Sequence, residues 1–296
     1  MTEPLPPLRR RLRREAQRLG VPIDVVERDY ALGHVLAAVY AQPELSRCLV
    51  FKGGTALKKA YFGDYRFSVD LDFTADDGPR DAELEVLLDA AASAAQTRLA
   101  EAGPLSVRLD RRPERAPHPG GQKAFRLLVQ FPWQTTPLCS IKLEITMDEP
   151  LALPPERRRL LHGYEEDLAA TLLCYSLEEI VAEKLRTLLQ VRARIEQGRW
   201  ARDCARDYYD LWRIVADPRV ALDRQAVARI LPEKCDVRMV SFRSASDFVD
   251  PRVVSQAERQ WQSILATLIR TLPPFDEMMA ALEPRLEGLV RRTSPA

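Results

Sequence analysis

Apolar positions recur at helical spacing through much of the chain and switch to alternation in a few short runs. Residues 8–19 and 24–41 read as helices, the second through Val25, Leu32, Leu36 and Val39. Arg47–Phe51 reads as a short strand and Gly54–Tyr61 as a helix opening at a glycine pair. Val69–Thr74 then alternates Val69, Leu71 and Phe73 with Asp70 and Asp72, the pattern of a half-buried strand. An Ala/Leu-rich helix over 80–101 stops at Gly103–Pro104. Three strand-like runs follow at Leu105–Arg111, Ala124–Phe131 and Ser140–Met147, with a Pro/Gly-rich loop, Arg112–Gly121, after the first.

Beyond the Pro150–Pro155 stretch the period becomes helical. Ser176 and Glu179 form an S-x-x-E capping box that opens a helix running to about Ile195. Further helices are predicted at about Arg202–Val215, 222–231, 254–271 and 276–291, and 232–252 lacks periodicity and reads as a loop. The expected fold class is therefore α+β. A first domain, 1–150, holds a mixed sheet of about five strands with its helices, and a helical second domain spans 151–296. No internal repeat or low-complexity tract is present.

Composition narrows this a little. At 296 residues and 46% hydrophobic, the chain can bury a proper core, and its net charge of +1 names no partner. Charge is distributed unevenly, however. Residues 1–20 carry Arg9, Arg10, Arg11, Arg13, Arg14 and Arg18 against Glu3 and Glu15. Residues 184–206 carry Lys184 and six arginines against Glu196 and Asp203, whereas 76–89 is acidic. Either basic stretch suits a phosphate backbone, and either equally suits a solvated helix face. The five cysteines are scattered without a C-x-x-C pair, so a disulfide framework or a zinc-thiolate site is not expected. With no apolar run of membrane length, the reading is a reduced, soluble, cytoplasmic protein.

The candidate chemistry centres on FKGGTALKKAYFGDYRFSVDLDFT, Phe51 to Thr74. Carboxylates two apart on a strand share a face, about 6–7 Å apart along the chain. Such a pair suits two hard divalent ions, which lie roughly 3.5–4 Å apart in metal-assisted phosphoryl transfer. The bland reading of Asp70 and Asp72 is a wet acidic strand face. Against it, acids are depleted in strands and repel when side by side. Gly53–Gly54–Thr55 lets backbone amides approach a phosphate closely, or is a plain strand-to-helix turn. Lys52 and Ser68 are open between phosphate contact and ordinary surface roles. Glu144 alternates with apolar Leu143 and Ile145, as a third carboxylate (metal ligand or base) or a solvent-facing position, and Lys142 beside it is equally open.

Two further residues break the pattern of their helices. At 100° per residue, Lys184 falls inside the apolar arc of Leu177, Ile180, Val181, Leu185 and Leu188. A lysine there must snorkel out or meet an anion. Asp207 lies in the arc of Cys204, Tyr208, Leu211 and Ile214, with Asp210 at its edge. Buried acids are rarely left unpaired, so a salt bridge from Asp207 to Lys184 is expected, either orienting a catalytic lysine or simply joining two helices.

Taken in order, K-G-G-T-A-L (Lys52–Leu57), R-F-S-V-D-L-D-F (Arg66–Phe73), S-L-E-E-I-V-A-E-K-L (Ser176–Leu185) and R-D-Y-Y-D-L (Arg206–Leu211) resemble the AbiEii/AbiGii-type nucleotidyltransferase toxins of type IV toxin–antitoxin and abortive-infection systems. The MenT-like tRNA nucleotidyltransferase toxins belong to the same group. The resemblance covers about residues 45–215. It implies a polymerase-β-like nucleotidyltransferase core with a helical C-terminal half that completes the active-site cleft. By motif it implies metal ligation by Asp70 and Asp72, and catalytic roles for these two with Lys184 and Asp207. It further implies substrate contacts from Lys52, Gly53, Gly54, Thr55, Arg66, Ser68, Glu144 and Asp210. The implied cofactor is Mg2+ at a two-metal site, with an NTP as co-substrate. The implied partners are tRNA or another RNA and a cognate antitoxin protein, with no membrane. Transfer of NMP to a tRNA 3′ end would block translation. Open alternatives are a protein or small-molecule hydroxyl as acceptor, and a non-catalytic nucleotide- or RNA-binding regulator on the same fold.

Overall fold

A computed structural model describes residues 5–112 and 121–290. Most of the loop expected at Arg112–Gly121, and residue 291 at the end of the last expected helix, lie outside the described residues. Two compact units are formed. One comprises residues 1–150, 155–174 and 268–270, the other residues 151–154, 175–267 and 271–296.

The first unit is built on a mixed sheet. Its strands are β1 (Leu49–Lys52), β2 (Asp70–Ala75), β3 (Ser106–Arg112), β4 (Lys123–Gln130), β5 (Cys139–Thr146), β6 (Glu156–Arg159) and β7 (Thr171–Cys174). Their spatial order is β3-β4-β5-β2-β1-β7-β6. The pairs β2–β5 and β1–β7 are parallel and the rest antiparallel. The sheet thus has seven strands rather than about five. The additional pair, β6 and β7, is four residues long in each strand, and β6 is the polar run Glu-Arg-Arg-Arg. Nothing in such a run alternates. Only the tertiary pairing, which sets Arg157 opposite Leu173 and Arg158 opposite Leu172 on β7, makes it a strand.

Helices α1 (Leu8–Leu19), α2 (Ile23–Val39), α3 (Pro43–Cys48) and α5 (Asp81–Ala100) accompany this sheet. Leu8, Leu12 and Ala16 put one apolar stripe of α1 inward, and Gly20 in the left-handed conformation ends the helix. Helix α2 is buried nearly all round. Gly33, Ala31, Ala37 and Ala38 keep it slim enough to pack against α1, α5 and β5 at once. The strand expected from Arg47 begins only at Leu49, because Pro43 at the first turn sets up α3 through Cys48. After β1, a four-residue helix α4 (Gly53–Ala56) widens into a π-helical turn over Leu57–Tyr61. The sheet core is dry: Val50, Phe51, Leu71, Phe73, Ile141 and Ile145 have no exposed surface.

The second unit is helical: α6 (Leu177–Glu196), α7 (Ala205–Val215), α8 (Arg224–Asp236), α9 (Pro251–Leu265) and α10 (Phe275–Val290). The Ser176 hydroxyl accepts the Glu179 N–H, as the S-x-x-E spacing requires. The Glu179 carboxylate accepts the N–H groups of Ala152 and Leu153 and pairs with Lys234 at 2.6 Å. That is what holds the short 151–154 segment to this unit. The expected 232–252 loop is partly ordered. Helix α8 passes through Pro232 to Asp236, and a 3-10 turn forms over Ala245–Val249. Helix α9 starts earlier than expected because Asp250 caps it, accepting the Arg252 N–H, with Pro251 at the first position. No helix among the described residues is long and apolar enough to cross a membrane.

One buried hydroxyl ties the parallel β1–β7 pair together. Tyr40, just after α2, shares its one hydroxyl proton between the carbonyls of Leu49 on β1 and Leu173 on β7, at 2.7 and 2.8 Å. Tyr40→Phe is expected to cost about 1–2 kcal/mol of unfolding free energy in urea titrations. A loss below a few tenths would show that the two carbonyls need no such donor.

Candidate active site

Strand register brings the sequence-marked acids together. Across the antiparallel β1–β2 pair, Lys52 lies opposite Asp72; across the parallel β2–β5 pair, Asp72 lies opposite Glu144 and Asp70 opposite Lys142. Residues opposite one another, or two apart, share a face. One face of three adjacent strands therefore carries Asp70, Asp72 and Glu144 together with Lys52 and Lys142. The other face of the same strands carries Leu71, Phe73, Leu143 and Ile145, all in the core. The alternation that shows in the sequence of β2 is thus the reason the acids are held at a rigid, half-buried surface.

Each acid has a specific setting. Glu144 accepts from the Gln122 side-chain amide and pairs with Lys142 at 2.6 Å. Asp72 is pushed up to about 6 by burial first, then by the neighbouring Asp70 and Glu144, against the opposing pull of Lys52 and Lys142. Three carboxylates gathered on one strand face form a hard-oxygen donor set, so these residues fit a divalent ion.

The glycine pair is shaped to this cluster. Gly53 has φ +78, and a Cβ there would stand 2.6 Å from an Asp72 carboxylate oxygen. Only glycine meets both demands. A Cβ on Gly54 would collide with the buried Arg66 guanidinium, which donates to the Phe67 carbonyl at 3.2 Å. Thr55, fully buried, donates its hydroxyl to the Asp70 carbonyl and locks the turn to β2. Ser68 is buried two residues ahead of Asp70.

The remaining marked residues form a second group, within the helical unit. Lys184 on α6 pairs with Asp207 at 3.1 Å and Asp210 at 2.6 Å, both on α7. Asp210 has no exposed surface, and Lys184 and Asp207 very little. The salt bridge expected from the helical arcs is therefore present. Arg202 also reaches Asp207, at 2.6 Å. Burial alone would raise the Asp207 carboxyl, but Arg202 and then Lys184 outweigh it and hold the group below its ordinary value.

Residues 34–281 match the family described as nucleotidyl transferase AbiEii toxin, type IV TA system. The chain belongs to the AbiEii family. It is accordingly a nucleotidyltransferase of the toxin–antitoxin kind, and a family of this kind implies a nucleotide substrate and an antitoxin partner. A search of curated proteins found no match.

Beside the AbiEii motifs, sequence reading missed Gln122 and the Arg202–Asp207 pair. Gln122 borders an irregular segment with no periodic signal. Arg202 stood among several basic residues, and nothing local separates an exposed arginine that reaches a buried acid from one that faces only solvent.

Two predictions test these settings. The folded state holds the extra Asp72 proton between about pH 4 and about 6, so stability falls as pH rises through that window. In EDTA, Asp72→Asn should match the parent near pH 4 and exceed it by about 2 kcal/mol near pH 7. Urea titrations at each pH measure the gap, and a constant gap would show that the acids do not repel. Separately, Lys184→Ala leaves Asp210 buried without this cation and should cost about 3–5 kcal/mol. Adding Asp210→Asn to it should restore part of the loss. Additive losses in that double-mutant cycle would deny the coupling.

Proposed function

We propose that this AbiEii-family toxin is a Mg2+-dependent enzyme that transfers NMP from an NTP to the 3′ end of a tRNA, blocking translation. The observation that carries the metal and the chemistry is the in-register set of Asp70, Asp72 and Glu144 beside the Gly53–Gly54 turn. In this reading Asp70 and Asp72 hold the ions, and Glu144, steadied by Lys142 and Gln122, completes the oxygen donors. The bound ions would supply Lewis-acid stabilisation of the attacking and leaving oxygens.

The chain's own residues do the rest. Gly53, Gly54 and Thr55 offer backbone close to the triphosphate, with Ser68 and Lys52 as phosphate contacts and Arg66 bracing Gly54 from behind. Lys184 is the catalytic lysine of this reading, and within its own unit Asp207 and Asp210 orient its ammonium group. The acceptor hydroxyl gives its proton to a carboxylate of the in-register set as its oxygen bonds to the α-phosphorus, the bond to the bridging oxygen breaks, and pyrophosphate leaves with the electron pair.

The RNA acceptor is supported by α1. Its Arg9, Arg10, Arg13 and Arg14 line one open groove with Gln17, and these four are exposed while Arg11 between them is buried. A phosphate backbone neutralised by such arginines releases counterions, so binding should weaken steeply with salt.

The test incubates the chain and its Asp72→Ala variant with total tRNA, Mg2+ and each α-labelled NTP in turn. Label is expected in tRNA with the parent alone, while circular dichroism finds both folded. Label in no RNA, with NTP still consumed, would move the acceptor to a protein or small-molecule hydroxyl. Full activity in Asp72→Ala would sink the metal assignment.

A further inference from the structure

The same unit holds a second group of metal-competent side chains, built from residues outside the acidic strand face. His34 lies on α2, one turn after Tyr30, and His162 and Glu166 lie in the connection from β6 to β7. Two of the three histidines in the chain therefore meet at one point. One ligand atom from each of His34, His162 and Glu166 lies within 4.8 Å of the others. Glu166 Oε1 is 3.8 Å from Nε2 of His34 and 3.8 Å from Nε2 of His162. Those distances are too long for hydrogen bonds.

Both imidazoles are more than nine-tenths buried, and none of their four nitrogens has a hydrogen-bond partner, nor does Glu166 Oε1. A buried polar atom without a partner costs about 1–3 kcal/mol, so five in one place require an explanation. The surroundings hold the group in place. The two imidazole rings stand at 87° with centroids 5.2 Å apart, and Tyr30 and Tyr164 flank them. Gly33 lets the connection approach α2, since a Cβ there would come within 2.6 Å of His162 Nδ1. Arg11 pairs with the other Glu166 oxygen, Oε2, and so aims Oε1 at the histidines. Nearby Lys59 is engaged by Asp29 at 2.8 Å.

We propose that His34, His162 and Glu166 form a binding site for a transition-metal cation of the zinc class. Two imidazole nitrogens and one carboxylate oxygen are a donor set for such an ion, with a fourth position left for water. A tetrahedral ion about 2.0–2.1 Å from its donors sets neighbouring donors about 3.4 Å apart, so the two Glu166–histidine distances shorten by about half an ångström on binding. Magnesium, which favours oxygen donors and retains water, does not suit this set. The ion ties α2 to the β6–β7 connection, and its role is structural.

The test is zinc uptake by the full chain. After EDTA treatment the parent is dialysed against Zn2+ with excess Mg2+, and bound zinc is measured by mass spectrometry. About one zinc per chain is expected in the parent and in Asp72→Asn, falling to background in His34→Asn, His162→Gln and Glu166→Gln. Zinc should also raise the melting temperature of the parent and leave those three unmoved. Cobalt substitution of the parent keeps the proposal falsifiable if a variant fails to fold. Visible bands of a four- or five-coordinate ion are expected, with no thiolate charge-transfer band. No uptake by the parent, uptake surviving in all three variants, loss of uptake in Asp72→Asn, or a thiolate band from the cysteines would each overturn it.

Discussion

Repulsion among carboxylates held on one rigid strand face is the constraint around which the first unit is organised. Asp70 and Asp72 cannot move apart, because they are two residues on a strand whose alternate positions, Leu71 and Phe73, are fixed in a dry core. Strand β5 brings Glu144 beside them by register, and a slip of one residue would instead put Leu143 or Ile145 there. Lysines on the flanking positions, Lys52 and Lys142, offset part of the charge, yet Asp72 still holds its proton unusually strongly. The site is thus kept under electrostatic load by hydrophobic packing on the opposite side of the same strands. A divalent cation bound there would relieve that load.

The glycine turn and Thr55 belong to the same arrangement. Gly53 clears room for the Asp72 carboxylate and Gly54 for the Arg66 guanidinium, while the Thr55 hydroxyl is committed to the Asp70 backbone. Backbone and side chains of the two motifs are therefore mutually dependent, which explains why they are joined by one short helical excursion. In the helical unit a different solution is used. Two buried anions, Asp207 and Asp210, are paired with the buried Lys184, and Asp207 also with the exposed Arg202. Such a group contributes little net stability against a hydrophobic replacement, but it fixes the position of the lysine ammonium closely.

Legibility followed the length and amphipathicity of each segment. Helices α1, α2, α5, α6 and α7 were legible because each carries several turns of apolar spacing or a local cap. Strands β2 and β5 were legible because they are half-buried and alternate. Strand β6 was not, because Glu-Arg-Arg-Arg is a strand only through its pairing with β7. The end of α8 was hidden by Pro232, ordinarily a breaker, and the start of α9 by a cap read as loop. Among the acids, Asp70, Asp72, Asp207 and Asp210 stood out because each sits at the wrong phase for a solvated residue or beside a like charge. Gln122, His34, His162 and Glu166 did not, since each is ordinary in its own sequence neighbourhood.

The sequence by itself determined which residues alternate, which helices carry a charge inside their apolar arc, and which motifs identify the chain as an AbiEii-type nucleotidyltransferase. These are local properties, set by side-chain period and spacing. The tertiary structure alone decided strand order and register, and with them the meeting of Glu144 with Asp70 and Asp72. It also decided the meeting of His34 with His162 and Glu166 across more than a hundred residues of chain. Such encounters are settled by how elements far apart in sequence share one core, and no spacing along the chain encodes them.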